Sequence, residues 1–239
     1  MFPLRDNIPT GRLPVVTLAL IAINVLAYFA WQKGGISLGS PSGAGFNENL
    51  GDYGLFPCNI TDRCDVPQPE PWLTPLTAMF MHGGLLHLGG NMLFLWIFGN
   101  NVEDSMGPVK FLLFYLLAGV AAFALQIAID PGSQVPNIGA SGAVAGVLGG
   151  YILLYPRARV LTFIFIIFFF TVLELPAFLV LGLWFAEQIV FGATGLSQGG
   201  GDGGGVAYFA HIGGFAFGLL AIKLFATRIK DVPPRLPVY

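Results

Sequence analysis

Five polar residues are of types that can together perform nucleophilic catalysis: His82, His87, Asn91, Ser141 and His211. The neighbours of Ser141 are alanine and glycine, which leave room around its hydroxyl. An imidazole within about 2.6 to 3.2 Å of a serine hydroxyl can accept its proton and make it a nucleophile. The first three residues follow one another at steps of five and four, which places them roughly on one flank of a helix.

The composition indicates that lipid is the solvent for most of the chain. Hydrophobic residues make up 55% of it and charged residues 10%, whereas soluble domains contain about 25% charged residues. The net charge is −2 and no lysine and arginine cluster forms a basic patch, so nucleic acid is excluded as a partner. Because polar groups are costly inside a membrane, each one in an apolar window is a candidate functional residue.

Six apolar windows approach the length of about 20 residues that a transmembrane helix needs. They are residues 14–31, 82–100, 108–129, 141–155, 175–191 and 207–225. A further apolar stretch, 160–173, is shorter and rich in β-branched and aromatic residues, which favours an interfacial or re-entrant segment, with a seventh span as the alternative. We predict an all-α polytopic membrane protein, a single domain built as a six-helix bundle.

The distribution of lysine and arginine predicts the orientation of the bundle, because these residues collect in cytoplasmic segments. With residues 1–13 in the cytoplasm, nine of the eleven basic residues fall inside, and only Lys33 and Arg63 fall outside. A seventh span would move the basic residues of the C-terminal tail to the external side. We therefore predict that both termini, 1–13 and 227–239, are cytoplasmic and that the helices within 82–226 carry the site.

The longest connection, residues 32–81, is external in this topology and is large enough to fold onto the bilayer surface. It contains the only two cysteines, Cys58 and Cys64, with five residues between them. In an oxidising exterior they can close a disulfide. A zinc site is the weaker alternative, because no histidine or further cysteine lies nearby to complete four ligands.

Small residues predict that the fourth and sixth helices pack at close backbone distance. Gly142 and Gly146 form one small-xxx-small pair, and Gly214 and Gly218 form a second on the face that carries His211. Both helices have their polar residue near the external side. Ser141 and His211 are therefore expected to meet there, beside the cluster at 82–91.

These residues resemble the signatures of the rhomboid family of intramembrane serine proteases, in the family's order. The matching positions are His82, His87 and Asn91, then Gly139-Ala140-Ser141-Gly142, then Ala210-His211 with Gly214 and Gly218. The segment 99–107, with Glu103 at an acidic position, is also similar to the family, and the resemblance covers residues 72–226.

The resemblance implies a Ser–His dyad that cleaves transmembrane protein substrates within or near the outer leaflet, with neither metal nor cofactor. Ser141 would attack the scissile carbonyl, and His211 would act as base and then as acid. The side chains of His82 and Asn91, with the backbone N–H of Ser141, would hold the oxyanion. His87 would be a structural hydrogen-bonding residue, and Gly139 with the other signature glycines would shape the site.

Two positions depart from patterns found in the family. Trp72 is followed by Leu73, where many bacterial members have an arginine, so the usual anchor of the first loop is missing. Ala145 stands where some members carry a tyrosine that stacks on the catalytic histidine, so other packing must orient His211. Neither change removes a reacting group, and we expect an active enzyme.

Alternatives remain at this stage. A rhomboid-like protein without catalysis would bind membrane clients, and a small-solute channel would conduct without cleaving. The glycine-rich segment 192–205 joins the fifth and sixth helices and is either a gate for substrate entry or an idle linker. We expect a multi-pass protein of a prokaryotic plasma membrane, and the oligomeric state stays open.

Overall fold

The computed structural model describes residues 1–39, 41, 43–166, 169–197 and 206–231. Its helices are α1 (Val15–Leu26), α2 (Ala44–Tyr53), α3 (Pro57–Ile60), α4 (Thr74–Thr77), α5 (Leu85–Phe94), α6 (Asn100–Met106), α7 (Pro108–Ile129), α8 (Ser141–Leu154), α9 (Ala177–Ser197) and α10 (Tyr208–Phe225). Single π-helical turns extend α1 through Ala27–Trp31 and join α5 to α6 through Leu95–Gly99. Short 3-10 turns, Pro71–Leu73 and Ala78–Phe80, flank α4.

Three described helices are long and apolar enough to cross a membrane: α7, α9 over Ala177–Gly195, and α10. Two shorter apolar helices, Val15–Trp31 with its π turn and α8, accompany them. All five occupy windows predicted from the sequence. The chain is therefore a mostly helical, multi-pass membrane protein.

The second predicted helix begins later than expected. It starts at Leu85 and not at His82, because Gly84 has a positive φ of 150° and ends the preceding loop. Backbone from the external connection packs on this glycine, where an added Cβ would overlap the carbonyl oxygen of Gly39. His82 therefore lies in the loop before the helix and does not share a helix face with His87 and Asn91.

A three-stranded antiparallel sheet corrects the all-α prediction. Its strands are β1 (Phe2–Asp6), β2 (Arg159–Ile166) and β3 (Phe169–Pro176), in the spatial order β1-β2-β3. β2 and β3 contain the described residues of the apolar stretch 160–173, and the β-branched and aromatic residues of these two strands are those that strands favour. The run is apolar on both faces, so it has no alternating pattern that would distinguish a strand from a short membrane segment.

The packing of α10 on α8 depends on glycine. A Cβ added to Gly214 would overlap the carbonyl oxygen of Gly142, and a Cβ added to Gly218 would overlap that of Gly146. Gly142 and Gly146 themselves face α7, where added Cβ atoms would meet Ala122 and Ala118. The predicted glycine pairs therefore bring three helices together, with α7 behind α8 as well as α10 beside it.

The end of the bundle remote from Ser141 is held by buried polar contacts. Glu103 accepts hydrogen bonds from the backbone N–H groups of Val16 (3.0 Å) and Thr17 (2.8 Å), which satisfies the first turn of α1. Lys230 forms an ion pair with Asp104. The start of α1, the end of α6 and the segment after α10 are thereby held together.

The external connection folds over the opposite end. Leu55 pairs with Asn137 in an isolated β-bridge, and the N–H of Cys58 donates to the carbonyl of Ser133 at 3.1 Å. Cys58 and Cys64 form a disulfide, the first of the two alternatives that their spacing left open. The segment therefore packs on the loop between α7 and α8, just before Ser141. Of the glycine-rich stretch 192–205, residues 198–205 lie outside the described part of the chain.

Candidate active site

Ser141 and His211 meet at the centre of the site. Ser141 is the first residue of α8 and His211 lies in the first turn of α10. The His211 Nε2 atom is 2.8 Å from the Ser141 Oγ atom, which is within the range for direct proton transfer. The close helix packing one turn further on, at Gly214, sets this distance.

Gly139 makes room for a second imidazole beside the serine. Its φ is 128°, a conformation that favours glycine, and its N–H donates to the carbonyl of Ala78 at 2.9 Å. A Cβ at this position would lie 2.8 Å from the Nε2 atom of His87 and 3.4 Å from the Oγ atom of Ser141. Only glycine allows both side chains to come this close.

His87, and not His82, presents a ring nitrogen to the site. The backbone N–H of Gly83 donates to His87 Nδ1 at 3.1 Å. The neutral ring therefore carries its proton on Nε2, the atom that faces Gly139 and Ser141. His87 also lines the cavity in front of the serine.

His82, for which the sequence analysis expected an oxyanion role, does not reach the cavity in front of Ser141. The residue is 0% exposed and is absent from the cavity lining. Its backbone N–H donates to Gln32 Oε1 at 2.9 Å, and its carbonyl accepts from Gln32 Nε2 at 2.8 Å. The ring packs edge-on against His87 with centroids 5.1 Å apart. His82 therefore packs behind the His87 ring, and His87 is the histidine of this cluster that faces the serine.

Asn91 lies one turn after His87 and also lines the cavity, with 7% of its surface exposed. One hydrogen of its amide donates to the carbonyl of His87 at 3.0 Å. An amide has two donor hydrogens, so this bond orients the second one. Asn91 is thus placed beside Ser141 as the sequence predicted.

Two residues of α9 that the sequence analysis did not single out contact His211. The Oε1 atom of Gln188 is 2.8 Å from His211 Nδ1, and Gln188 is only 6% exposed. The Trp184 ring lies beside the imidazole with centroids 5.7 Å apart. Trp184 occupies the role left open by Ala145. A glutamine inside the apolar window 175–191 was a detectable signal, because a buried polar group in a span needs a partner.

The site opens into a cavity of about 760 Å³. Apart from the polar residues, its lining is mainly apolar and includes Phe46 and Leu50 of α2. Val135 and Trp184 contribute to other parts of the wall. The segment 32–81 therefore contributes to the wall of the cavity.

Comparisons with known proteins agree with this architecture. The Rhomboid domain family model matches residues 69–228. Rhomboid protein 1, mitochondrial, of Saccharomyces cerevisiae is 31% identical over 149 residues, 60% of this chain and 39% of that protein. Rhomboid protease GluP of Bacillus subtilis is 33% identical over 136 residues, 57% of this chain and 24% of that protein. Rhomboid-like protein 11, chloroplastic, of Arabidopsis thaliana is 31% identical over 158 residues, 65% of this chain and 53% of that protein.

The chain spans 24% to 53% of the length of these three relatives. Their names include a mitochondrial protein, a chloroplastic protein and a bacterial protease, so no single membrane is common to them. Because the family model covers well over half of the 239 residues, the chain belongs to the rhomboid family.

Proposed function

We propose that the chain is a serine endopeptidase that cleaves transmembrane protein substrates within or near the outer leaflet of its membrane. The observation that carries the proposal is the 2.8 Å separation of His211 Nε2 and Ser141 Oγ, facing a cavity. The protease name of the Bacillus subtilis relative supports the same reaction class.

The first half of the reaction follows from the two imidazoles. His211 Nε2 accepts the proton of Ser141 Oγ as that oxygen attacks the scissile carbonyl carbon. The carbonyl oxygen becomes an oxyanion on the side of the Nε2–H of His87 and the free amide hydrogen of Asn91. The backbone N–H of Ser141 adds a third donor, because the first N–H groups of a helix have no intrahelical acceptor.

The second half regenerates the enzyme. The His211 imidazolium gives its proton to the leaving amine, which breaks the peptide bond and leaves an ester on Ser141. Water then loses a proton to His211 and attacks this ester, releasing the new carboxyl terminus and restoring the serine hydroxyl. The cavity beside the dyad provides the space through which water enters.

The membrane topology is part of the same proposal. We infer six spans, α1, α5 with α6, α7, α8, α9 and α10, with both termini in the cytoplasm. In support, the contacts of Asp104 with Lys230 and of Glu103 with α1 lie at one end, and the Ser141 site lies at the other. The positive-inside rule assigns the first of these ends, which is richer in lysine and arginine, to the cytoplasm.

The experiment compares the purified wild type with Ser141→Ala and His211→Ala on a model transmembrane substrate, with fluorophosphonate labelling as a second readout. We expect product and label in the wild type and neither in the two variants. Ser105→Ala is the matched control, because the Ser105 Oγ atom donates to the carbonyl of Val102 in its own helix, at the end remote from Ser141. Equal product from all proteins would overturn the proposal. A folded wild type without product or label would favour a client-binding role.

A further inference from the structure

Gln188 contacts the face of His211 that is turned away from the serine. We propose that Gln188 is a positioning residue that fixes the tautomer and the ring orientation of the catalytic histidine. The inference deepens the proposed function and rests on it. Its starting point is the pair of 2.8 Å contacts of His211, from Nδ1 to Gln188 Oε1 and from Nε2 to Ser141 Oγ.

The orientation of the Gln188 amide is set by its own helix. Its Nε2 atom donates to the carbonyl of Trp184, one turn earlier on α9, at 3.2 Å. The reversed amide would place its oxygen against that carbonyl oxygen, and two acceptors repel each other. The amide oxygen is therefore the atom that faces His211.

An amide oxygen can only accept a hydrogen bond, so the Nδ1 atom of His211 must carry the proton. In a neutral imidazole the other nitrogen then has a lone pair. That nitrogen is Nε2, the atom beside Ser141, and its lone pair is what a general base needs. In the opposite tautomer Nε2–H would face the hydroxyl and the serine could not be deprotonated.

A neutral amide at position 188 suits its buried, apolar surroundings better than a carboxylate would. Gln188 is 6% exposed and lies within the apolar helix α9. A charged side chain inside a membrane span is costly, whereas a neutral amide with both ends bonded is tolerated. Glutamine thus provides the orienting function that aspartate has in a Ser-His-Asp triad without a buried charge.

Trp184, which lies on the same helix as Gln188, also contacts the His211 ring. Its ring lies beside the imidazole, tilted by 36° with centroids 5.7 Å apart, and an aromatic face favours the imidazolium that forms during catalysis. Because Trp184 also binds the Gln188 amide through its carbonyl, one turn of α9 determines both the ring plane and the tautomer of His211.

The test uses Gln188→Leu, which removes the acceptor, and Gln188→Glu, which keeps an acceptor and can add a charge. Glu187→Leu is the matched control on the neighbouring, exposed position of α9. The kcat and KM on a transmembrane substrate are measured over a range of pH, together with thermal midpoints. The tautomer is followed separately by ¹⁵N NMR of histidine-labelled protein, with His211→Ala to assign the signal.

We expect Gln188→Leu to lower kcat about 10- to 100-fold with little effect on KM. Its His211 signal should change from the Nδ1–H form to a mixture of tautomers. Gln188→Glu should retain more activity than Gln188→Leu, and the acid limb of its pH–rate profile should move to higher pH, because a carboxylate stabilises the imidazolium. Glu187→Leu should match the wild type.

A wild-type tautomer other than Nδ1–H would overturn the inference. So would a Gln188→Leu protein with wild-type kcat, or a folded Gln188→Glu protein with low activity and an unshifted profile, because either result limits Gln188 to packing. If the wild type has the Nδ1–H form that Gln188→Leu loses, yet cleaves nothing, the positioning role holds and the proposed proteolysis fails.

Discussion

The single residues that matter most here are the two histidines of the cluster at 82–91, because only one of them presents a ring nitrogen to Ser141. His87 presents a protonated Nε2 towards Gly139 and Ser141, because Gly83 occupies its Nδ1. His82 is fully buried behind it. The two histidines therefore have different surroundings although both belong to one sequence cluster.

We predict that His87→Ala lowers kcat about 10²- to 10³-fold, the usual effect of removing one oxyanion donor, with a small change in thermal midpoint. His82→Ala should instead lower the thermal midpoint and change kcat little, because it leaves a buried cavity behind while Ser141 and His211 stay in place. Cleavage rates and unfolding curves of both variants check this. A larger kcat effect at His82 than at His87 would restore the role predicted from the sequence.

Sequence reasoning found Ser141, His211 and Asn91 because each is a polar residue in an apolar window with glycine nearby. The family resemblance gave the oxyanion role to His82, whereas the structure places this residue before the helix that begins at Leu85 and outside the cavity lining. The interruption at Gly84 depends on backbone from the external connection packing against that glycine, which is a long-range contact. Gln188 lies 23 residues before His211, and no local pattern links the two.

At the scale of elements, the separation of α8 and α10 determines the distance between the reacting atoms. The carbonyl oxygens of Gly142 and Gly146 lie directly over Gly214 and Gly218. A larger residue at either contact point must push the two helices apart. The dyad lies at the end of the same pair of helices and would open with them.

We predict that Gly214→Ala lowers kcat/KM about 100-fold, because misplacement of a catalytic group by about 1 Å can cost that much. The matched control is Gly182→Ala on α9, where an added Cβ meets nothing within 4 Å and the better helix propensity of alanine adds stability. Steady-state cleavage and thermal midpoints are measured for both proteins. Equal rates for the two variants would contradict the role of the helix contact.

Hydropathy and glycine spacing were sufficient to predict α8, α10 and their contact, because hydropathy and glycine spacing can be read within each helix separately. The sheet was not predictable in the same way. Residues 160–173 are apolar in every position except Thr162 and Thr171. The strands β2 and β3 pair with each other, and β2 also pairs with β1, whose residues are more than 150 positions away in the chain. Pairing at that distance leaves no trace in local periodicity.

Across the whole molecule from the dyad, the remote end of the bundle contains a partly buried carboxyl group, that of Asp6. Asp6 accepts hydrogen bonds from the Tyr151 hydroxyl and from Asn101 Nδ2 (2.8 Å). Burial raises the pKa of Asp6 from its ordinary value of 3.8 to about 6, although these hydrogen bonds act in the opposite direction. The folded state therefore binds the Asp6 proton more tightly than the unfolded state does.

This difference predicts the sign of a pH effect on stability. The contribution of Asp6 is fully present below pH 3.8 and is lost as the pH rises through about 6. The wild-type thermal midpoint, measured relative to that of Asp6→Asn, should therefore fall between about pH 4 and pH 6 and level off above. Midpoints measured across this range check the prediction. A difference curve that rises with pH in that window would show that the pKa of Asp6 is lowered by folding.

The Gln32 amide has a consequence for the whole chain. It binds the backbone of His82 through both its nitrogen and its oxygen, so the segment 33–81 leaves and rejoins the bundle at a single side chain. The distance between its two ends is thus independent of how many residues lie between them. Replacements at Phe46 and Leu50 can therefore reshape this part of the cavity wall while the Gln32–His82 contact between the end of α1 and the start of α5 is kept. Under the proposed function, these wall residues are the ones whose replacement alters substrate preference without removing Ser141 or His211.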